Sequence, residues 1–551
     1  MKKNYSHGIL LILLIFCVIP FSNAQAPEWQ WAVTTGEQVT ANFAKDIATD
    51  ASGNIYMTGY FNSATIEFGG VELTKQGTSA NVYIAKYSPS GIALWAHNYG
   101  TTSYNESWGV AADAAGNAYI TGNYRGASIT FGAFTLTNFN TDVDGIFVVK
   151  YDAAGNVVWA KNGTGAALDK ESNDIAVDAA GNVTIAGYSS YGTFSFDGAV
   201  LNNPHNANLY IVKFDTNGNV LWSTAQTVNS QNRADGVATD ADGNTYISGY
   251  YNYSTIYGLP YTTNMNAFLI KFDPQGNMLW AVSPNTTSDT VYGFDVFAGS
   301  NGKVIIAGSF NSTTLTIGTT TLTNASTNGS PDIFVAQYDT AGNFEWAKSS
   351  GGNKWDRGYK VVSDVQGSVY LSGYFASQTV TFGAFSLTKS DDYTELSFIT
   401  KYGATGDEAW ALKVDKTTTG STSANGGLAC DANGNIYLAG TARDDVAFGN
   451  LIFEDGGIFL AKLASGTAGL NNVSSAKIVL HPNPVTDILN IDNGESITKI
   501  NIYNTLGQIV FSADINPGTS SSINIAQLPA GYYVAELMGN GVKTTKKILK
   551  N

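Results

Sequence analysis

A chain of 551 residues with 44% hydrophobic residues, only 13% charged residues and 59 glycines is too long for one ordinary domain and too apolar to be disordered. Its net charge of −15 excludes a general affinity for nucleic acid, whose phosphates need a basic surface. Its two cysteines, Cys17 and Cys430, leave no disulfide framework, so the core and the sheet ladders must hold the fold.

The first predicted element is an export leader, residues 1–24. Lys2 and Lys3 form a positive start, Ile9 to Ile19 is a short apolar run, and Ser22-Asn23-Ala24 fits a small-x-small cleavage site. Phe16 stands before Cys17 where a lipoprotein needs a small residue, which argues against lipid attachment there. No later segment is apolar and long enough to span a membrane, so the mature chain is expected to carry no transmembrane segment. Cleavage would leave Cys430 alone, in a strand pattern that reads as a small packed side chain rather than a nucleophile.

Residues 25–463 are dominated by internal repeats. The motif DIATDASGNIYMTGY (Asp46 to Tyr60) recurs with turn-opening positions at Asp50, Asp113, Asp178, Asp240, Gly299, Asp364 and Asp431, spaced by 63, 65, 62, 59, 65 and 67 residues. Each copy reads as strand, turn, strand: the Asp side chain opens the turn and a Gly supplies positive φ. About thirty residues on, a second hairpin such as VYIAKYSPSGIALWA ends in Trp. Those tryptophans are Trp95, Trp159, Trp222, Trp280, Trp346 and Trp410, and their regular place argues for packing between repeats. A variable segment with its own β pattern, such as TIEFGGVELT, lies between the two hairpins. The last unit ends at Leu463 without its Trp strand, while EWQWAV, with Trp31, stands at the start of the mature chain. A ring explains both facts, because the N-terminal strand would complete the last unit and leave no open edge. The expected fold is therefore all-β: a seven-bladed propeller closed by its N-terminal strand. These repeats resemble the beta-propeller repeat units of secreted bacterial proteins.

A Gly-, Ser- and Asn-rich linker is read at 464–476. Residues 477–551 then carry HPNPVTDILNI, ITKINIYNTLGQIV and LPAGYYVAELMGNGVKTTKKILK, alternating strands broken by Pro and Gly turns. This suits a small Ig-like β-sandwich. The same segments resemble the type A sorting domain of the type IX secretion system of Bacteroidota. That resemblance implies passage through the periplasm, export by the type IX machinery, and either release or attachment at the cell surface.

Catalytic chemistry finds no support in motif or spacing. His97, His205 and His481 share no metal-ligand spacing, and no nucleophile elbow, phosphate loop or nucleotide fingerprint occurs. The turns at Asp215 and Asp240 resemble the beginning of a calcium loop but lack its length and terminal Glu, so structural turns are favoured over calcium and no cofactor is expected. Candidate ligand-binding residues fall where the repeats differ, in the segments joining each Trp strand to the next unit, placed on one face around the channel. They are Tyr104, Glu106, Trp108, Lys170, Glu171, Arg233, Asp235, Trp355, Asp356 and Arg357. The expected function is a non-catalytic, exported binding module for an extracellular glycan or protein. The alternatives are a structural or adhesive surface protein without a pocket and a propeller-based hydrolase such as a glycosidase.

Overall fold

The computed structural model describes residues 26–36, 41–285, 290–390, 394–416, 422–423, 426–464, 479–492, 498–504, 509–515, 521–539 and 542–551. The expected leader and nearly all of the expected linker lie outside them. The described residues form strands and turns with no helix. The chain divides into two compact units, Met1–Ser465 and Gly466–Asn551.

The first unit is built from antiparallel four-stranded meanders. In the first of these, Phe43–Thr49, Ile55–Phe61, Asn81–Tyr87 and Ala93–Tyr99 lie side by side in chain order. Equivalent sheets begin at Asn105, Asp169, Gln231, Val291 and Asp356. In a further sheet, Leu428–Cys430 leads through Ile436–Ala442 and Gly457–Leu463 to the N-terminal strand Trp29–Thr34. Each sheet packs on the next through its first strand, and Phe43–Thr49 packs on Leu428–Cys430 and Ile436–Ala442, so the succession closes on itself. The two middle strands of a sheet are covered on both faces. That is why Val82, Tyr83, Ile84 and Ala85 form an unbroken buried run, whereas the outer strand Ala93–Tyr99 mixes exposed and covered positions.

The repeated turn residues have local work. Asp50 Oδ1 accepts the N–H groups of Ser52 and Asn54, both at 2.9 Å, and Oδ2 accepts Asn54 Nδ2 at 2.7 Å. Gly53 follows at φ +75°, where a side chain would be strained. The outer turn at Asp215, read above for calcium, has the same bonds: Oδ1 accepts Asn217 and Asn219 N–H, and Oδ2 accepts Asn219 Nδ2. The variable segments form two-stranded hairpins, such as Thr65–Phe68 with Val71–Thr74. Some reach back to the preceding sheet: Gly192–Phe196 pairs with the end of Val157–Gly165.

The tryptophans join consecutive sheets. Trp95 Nε1 donates to the Ala153 carbonyl in the outer turn of the next sheet, and Trp159, Trp222, Trp280 and Trp346 repeat this with Thr216, Pro274, Thr340 and Ala404. The turn glycine lies flat on the indole. A Cβ on Gly155 would come within 3.0 Å of Trp95, and one on Gly276 within 2.7 Å of Trp222. Trp31 continues the series. Its Nε1 donates to Pro89 O at 3.3 Å, and a Cβ on Gly91 would meet its ring at 2.9 Å. Its strand pairs antiparallel with the last chain strand, Ala32 opposite Ala461 and Thr34 opposite Phe459. The N-terminal strand thus belongs to the sheet formed by the end of the unit.

Gly466–Asn551 contains a three-stranded sheet of Val479–His481, Ile488–Asp492 and Ser521–Asn524 and a four-stranded one of Lys499–Tyr503, Ile509–Asp514, Gly531–Gly539 and Val542–Lys550. Leu489, Ile491, Ile500, Ile502, Ala535 and Leu537 form its core. Tyr533 OH donates to Pro529 O at 2.7 Å, fixing the Leu-Pro-Ala-Gly turn.

Trp31→Ala removes one indole contact and one hydrogen bond at the closing sheet. It is expected to cost about 2 kcal/mol, below the range for a fully buried Trp, and to lower Tm by several degrees. Leu94→Ala, at a position 49% exposed, is expected to leave Tm unchanged. Equal melting of the two variants would show that the ring does not depend on its N-terminal strand.

Candidate functional site

Each complete innermost strand slips register by one residue, between Ala44 and Asp46, Ser107 and Gly109, Ser172 and Asp174, Ala234 and Gly236, Gly293 and Asp295, and Gly358 and Lys360. The bulge breaks the two-residue alternation and re-aims the side chains beside it. Four residues before each turn opener, the repeats therefore place a belt of Asp46, Gly109, Asp174, Gly236, Asp295, Lys360 and Gly427. A cavity of about 300 Å³ lies along these strands, with Asp46, Asp174, Asp295 and Lys360 in its wall.

The belt aspartates hold the next sheet. Asp46 Oδ2 accepts Val110 N–H at 3.0 Å, Asp174 Oδ2 accepts Val237 N–H at 2.8 Å, and Asp295 Oδ2 accepts Val361 N–H at 2.8 Å. Lys360 Nζ lies 3.2 Å from Asp46 Oδ1 and 3.9 Å from Asp295 Oδ1. Burial pushes the carboxyl of Asp174 up to about 7 and that of Asp295 up to about 6, with Lys360 pulling both the other way. Burial disfavours the charge on Lys360, but Asp46, Asp295 and Asp174 outweigh it and keep the ammonium protonated.

Beyond the belt, toward the start of the innermost strands, side chains at two recurring positions surround the channel. Three residues before the belt stand Phe43, Glu106, Glu171, Arg233, Tyr292 and Arg357; one residue before it stand Lys45, Trp108, Asn173, Asp235, Phe294 and Tyr359. Tyr60, Tyr188, Tyr250 and Tyr374 join them from the second strands. Lys45 Nζ lies 4.2 Å from the Trp108 ring and 5.3 Å from that of Tyr60. Burial lowers the Lys45 pKa and raises that of Glu106; each charge partly offsets the effect on the other. Tyr104 OH donates to Glu106. Arg233 lies 4.0 Å over Tyr188 and pairs with Glu171 at 3.3 Å and Asp235 at 3.8 Å. Burial pushes Asp235 up to about 6 against the pull of Arg233. A chain of rings runs from Tyr250 through Tyr292, Phe294 and Tyr359 to Tyr374, with centroids 5.1, 5.6, 4.8 and 5.6 Å apart.

The sequence-predicted candidates divide. Glu106, Trp108, Glu171, Arg233, Asp235 and Arg357 stand at the recurring positions around the channel. They lie inside the innermost strands rather than in connecting loops, because the ladder with the second strand continues past the bulge. Tyr104 and Trp355 stand just before their strands, 47% and 53% exposed. Lys170 and Asp356 are buried within the sheets. Lys170 Nζ donates to Ala167 O at 2.8 Å, and burial lowers its pKa to about 8. Asp356 accepts Ala376 and Ser377 N–H and the Ser377 hydroxyl. Neither offers a group to a ligand. Sequence reasoning missed Lys45, Phe43, Tyr292, Phe294 and Tyr359. The signal was the fixed offset from the turn opener, which does not depend on where neighbouring repeats diverge.

The Cys430 thiol is pushed up to about 12 by burial and by Asp364 and Asp431, which keeps it protonated and a poor nucleophile. Among the described residues no group of three or more His, Cys, Asp or Glu is placed to hold a metal ion.

The belt generates a pH prediction. Asp174 and Asp295 bind protons more tightly folded than unfolded. Their contribution to stability is complete below the unfolded pKa of about 4 and is lost as pH rises through about 6 to 7. Lys360→Met removes the charge that offsets this loss. Its stability penalty is therefore expected to be larger at pH 8 than at pH 5, reaching about 3 kcal/mol at the higher pH. The same penalty at both pH values would remove the compensating role of Lys360.

A stretch covering 53% of the chain is 26% identical over 362 residues to an uncharacterized WD repeat-containing protein of Acanthamoeba polyphaga mimivirus. The match spans about a quarter of that relative, 26% of its length. Among solved structures, one similar chain belongs to the mitotic checkpoint complex, at 9% identity and TM-score 0.37, covering 84% of this chain and 97% of that one. Another is an ulvan lyase of a new polysaccharide lyase family, at 11% identity and TM-score 0.36, covering 78% and 95%. Residues 479–551 match the secretion system C-terminal sorting domain family, which implies export through the periplasm to the cell surface or beyond.

Proposed function

We propose that the protein is an exported, non-catalytic, seven-bladed propeller of the kind found in secreted bacterial repeat proteins, and that it binds an extracellular glycan or protein at the aromatic mouth of its channel. One observation carries this reading. Aromatic and charged side chains recur at two fixed positions of successive innermost strands, so several repeats contribute to one surface. Ring faces beside a few charged groups are a common composition for a ligand site. A non-catalytic role is supported by the engagement of the mouth carboxylates, Glu106 with Tyr104 and Glu171 with Arg233. The Asp turns support a structural reading over calcium, since their oxygens already accept backbone and Asn donors. Residues 477–551 are read as an Ig-like domain that presents the chain to the type IX machinery, a reading supported by the family match and by the two-sheet core.

The mature chain applied to a glycan array is expected to bind a restricted set of saccharides. Tyr359→Ala is expected to weaken that binding about tenfold with little change in Tm. Unaltered binding in Tyr359→Ala would move the site away from the mouth, and no binding to any glycan or surface protein would favour the structural role. Deleting residues 477–551 is expected to leave folded propeller in the periplasm of the producing cell; normal export would sink the secretion reading.

A further inference from the structure

We infer that Arg357 and Trp355 form a subsite for the acidic group of a saccharide, a uronate carboxylate or a sulfate ester, whose sugar ring stacks on the exposed indole. The inference rests on the mouth-binding reading and names a ligand class for it.

The repeats supply an internal control. Arg233 and Arg357 occupy the same place, three residues before the belt, two units apart. Arg233 is neutralised within the protein by Glu171, which holds that same place one unit earlier, and by Asp235, two residues on. The corresponding neighbours of Arg357 are Tyr292 and Tyr359. Both carboxylates are thus replaced by phenols. Among the described residues no carboxylate lies within ion-pairing distance of Arg357. Its guanidinium makes one side-chain hydrogen bond, from Nη1 to Tyr359 OH at 3.1 Å, and its Nε is buried without an acceptor.

The surroundings hold this cation in place without neutralising it. The guanidinium carbon lies 4.7 Å from the Trp355 ring and 5.9 Å from that of Phe294. Cation–π contact orients the plane and leaves the charge intact. The guanidinium is partly buried beside Tyr359, Tyr374 and Tyr292, and that burial strengthens any charge interaction made there. A planar guanidinium with spare donors suits the paired oxygens of a carboxylate or sulfate. Trp355, 53% exposed, offers a flat apolar face beside it. That pairing of flat face and cation favours an acidic sugar over an acidic peptide. The whole chain carries −15, so a polyanion finds no general basic attraction, and selectivity must come from this local arrangement.

The test is calorimetric titration of the mature chain with trigalacturonate, its fully methyl-esterified form, a sulfated galactan tetrasaccharide and a hexaglutamate peptide. Trigalacturonate or the sulfated galactan is expected to bind, the better of the two identifying the acid, and the ester to bind at least about tenfold more weakly. Arg357→Gln is expected to lose that preference. The double variant Tyr292→Glu with Tyr359→Asp, which gives Arg357 the partners that Arg233 has, is expected to lose it as well. Tm should hold or rise in the double variant, so misfolding cannot mimic the result. Equal binding of acid and ester would overturn the anionic subsite and leave the mouth-binding reading standing. Arg357-dependent binding of hexaglutamate in preference to both acidic saccharides would overturn the saccharide assignment. Binding of none of the four would overturn this inference, and failure on the glycan array as well would remove the mouth-binding reading with it.

Discussion

The contact between an outer-strand tryptophan and the outer turn of the following sheet, made by Trp31, Trp95, Trp159, Trp222, Trp280 and Trp346, is the constraint on which the rest depends. The indole ring lies where only a glycine leaves room, and its N–H reaches a carbonyl of the same turn. One geometry therefore sets both the spacing and the rotation between neighbouring sheets. It recurs at six of these junctions, and the closing one joins the last sheet to the first. The last link needs a tryptophan that the end of the repeats does not have, and Trp31 supplies it.

The succession of sheets lines one cavity with their innermost strands, where the bulges bring together side chains far apart in sequence. The arrangement brings charge of one sign close together as well. Three aspartates share the belt, each holding a backbone N–H of the next sheet, and Lys360 stands among them as the counter-charge. The belt thus couples the closure of the ring to the electrostatics of its channel. Removing one partner of such a buried cluster leaves the others exposed to their full desolvation cost. At the mouth the same logic has a different outcome: Lys45 and Arg233 have carboxylates at hand, and Arg357 has ring faces.

Much of this was legible in the residues. The turn openers, the glycines after them and the Trp strands follow from rules within a few residues of each position. The displaced Trp strand at Trp31 points to closure from the sequence alone. The bulge was not legible, because a slip of one residue leaves no mark in the alternation of DIATD or GVATD. It is why Glu106 and Arg233 sit within strands rather than in loops. It also hid Phe294 and Tyr359, which read as ordinary strand residues. Lys170 and Asp356 looked like surface charges beside Glu171 and Arg357, but adjacent residues of a strand point to opposite faces, and these two point inward.

The sequence by itself determined the repeat, the turn chemistry, the all-β class and the sorting segment, since each is a short-range pattern that the chain carries in any environment. Tertiary structure alone decided which charges are paired and which stand without a counter-charge, as Arg233 and Arg357 show. Ion pairing depends on distances between residues roughly sixty positions apart. Only the rotation of one sheet against the next places Glu171 beside Arg233 and Tyr292 beside Arg357.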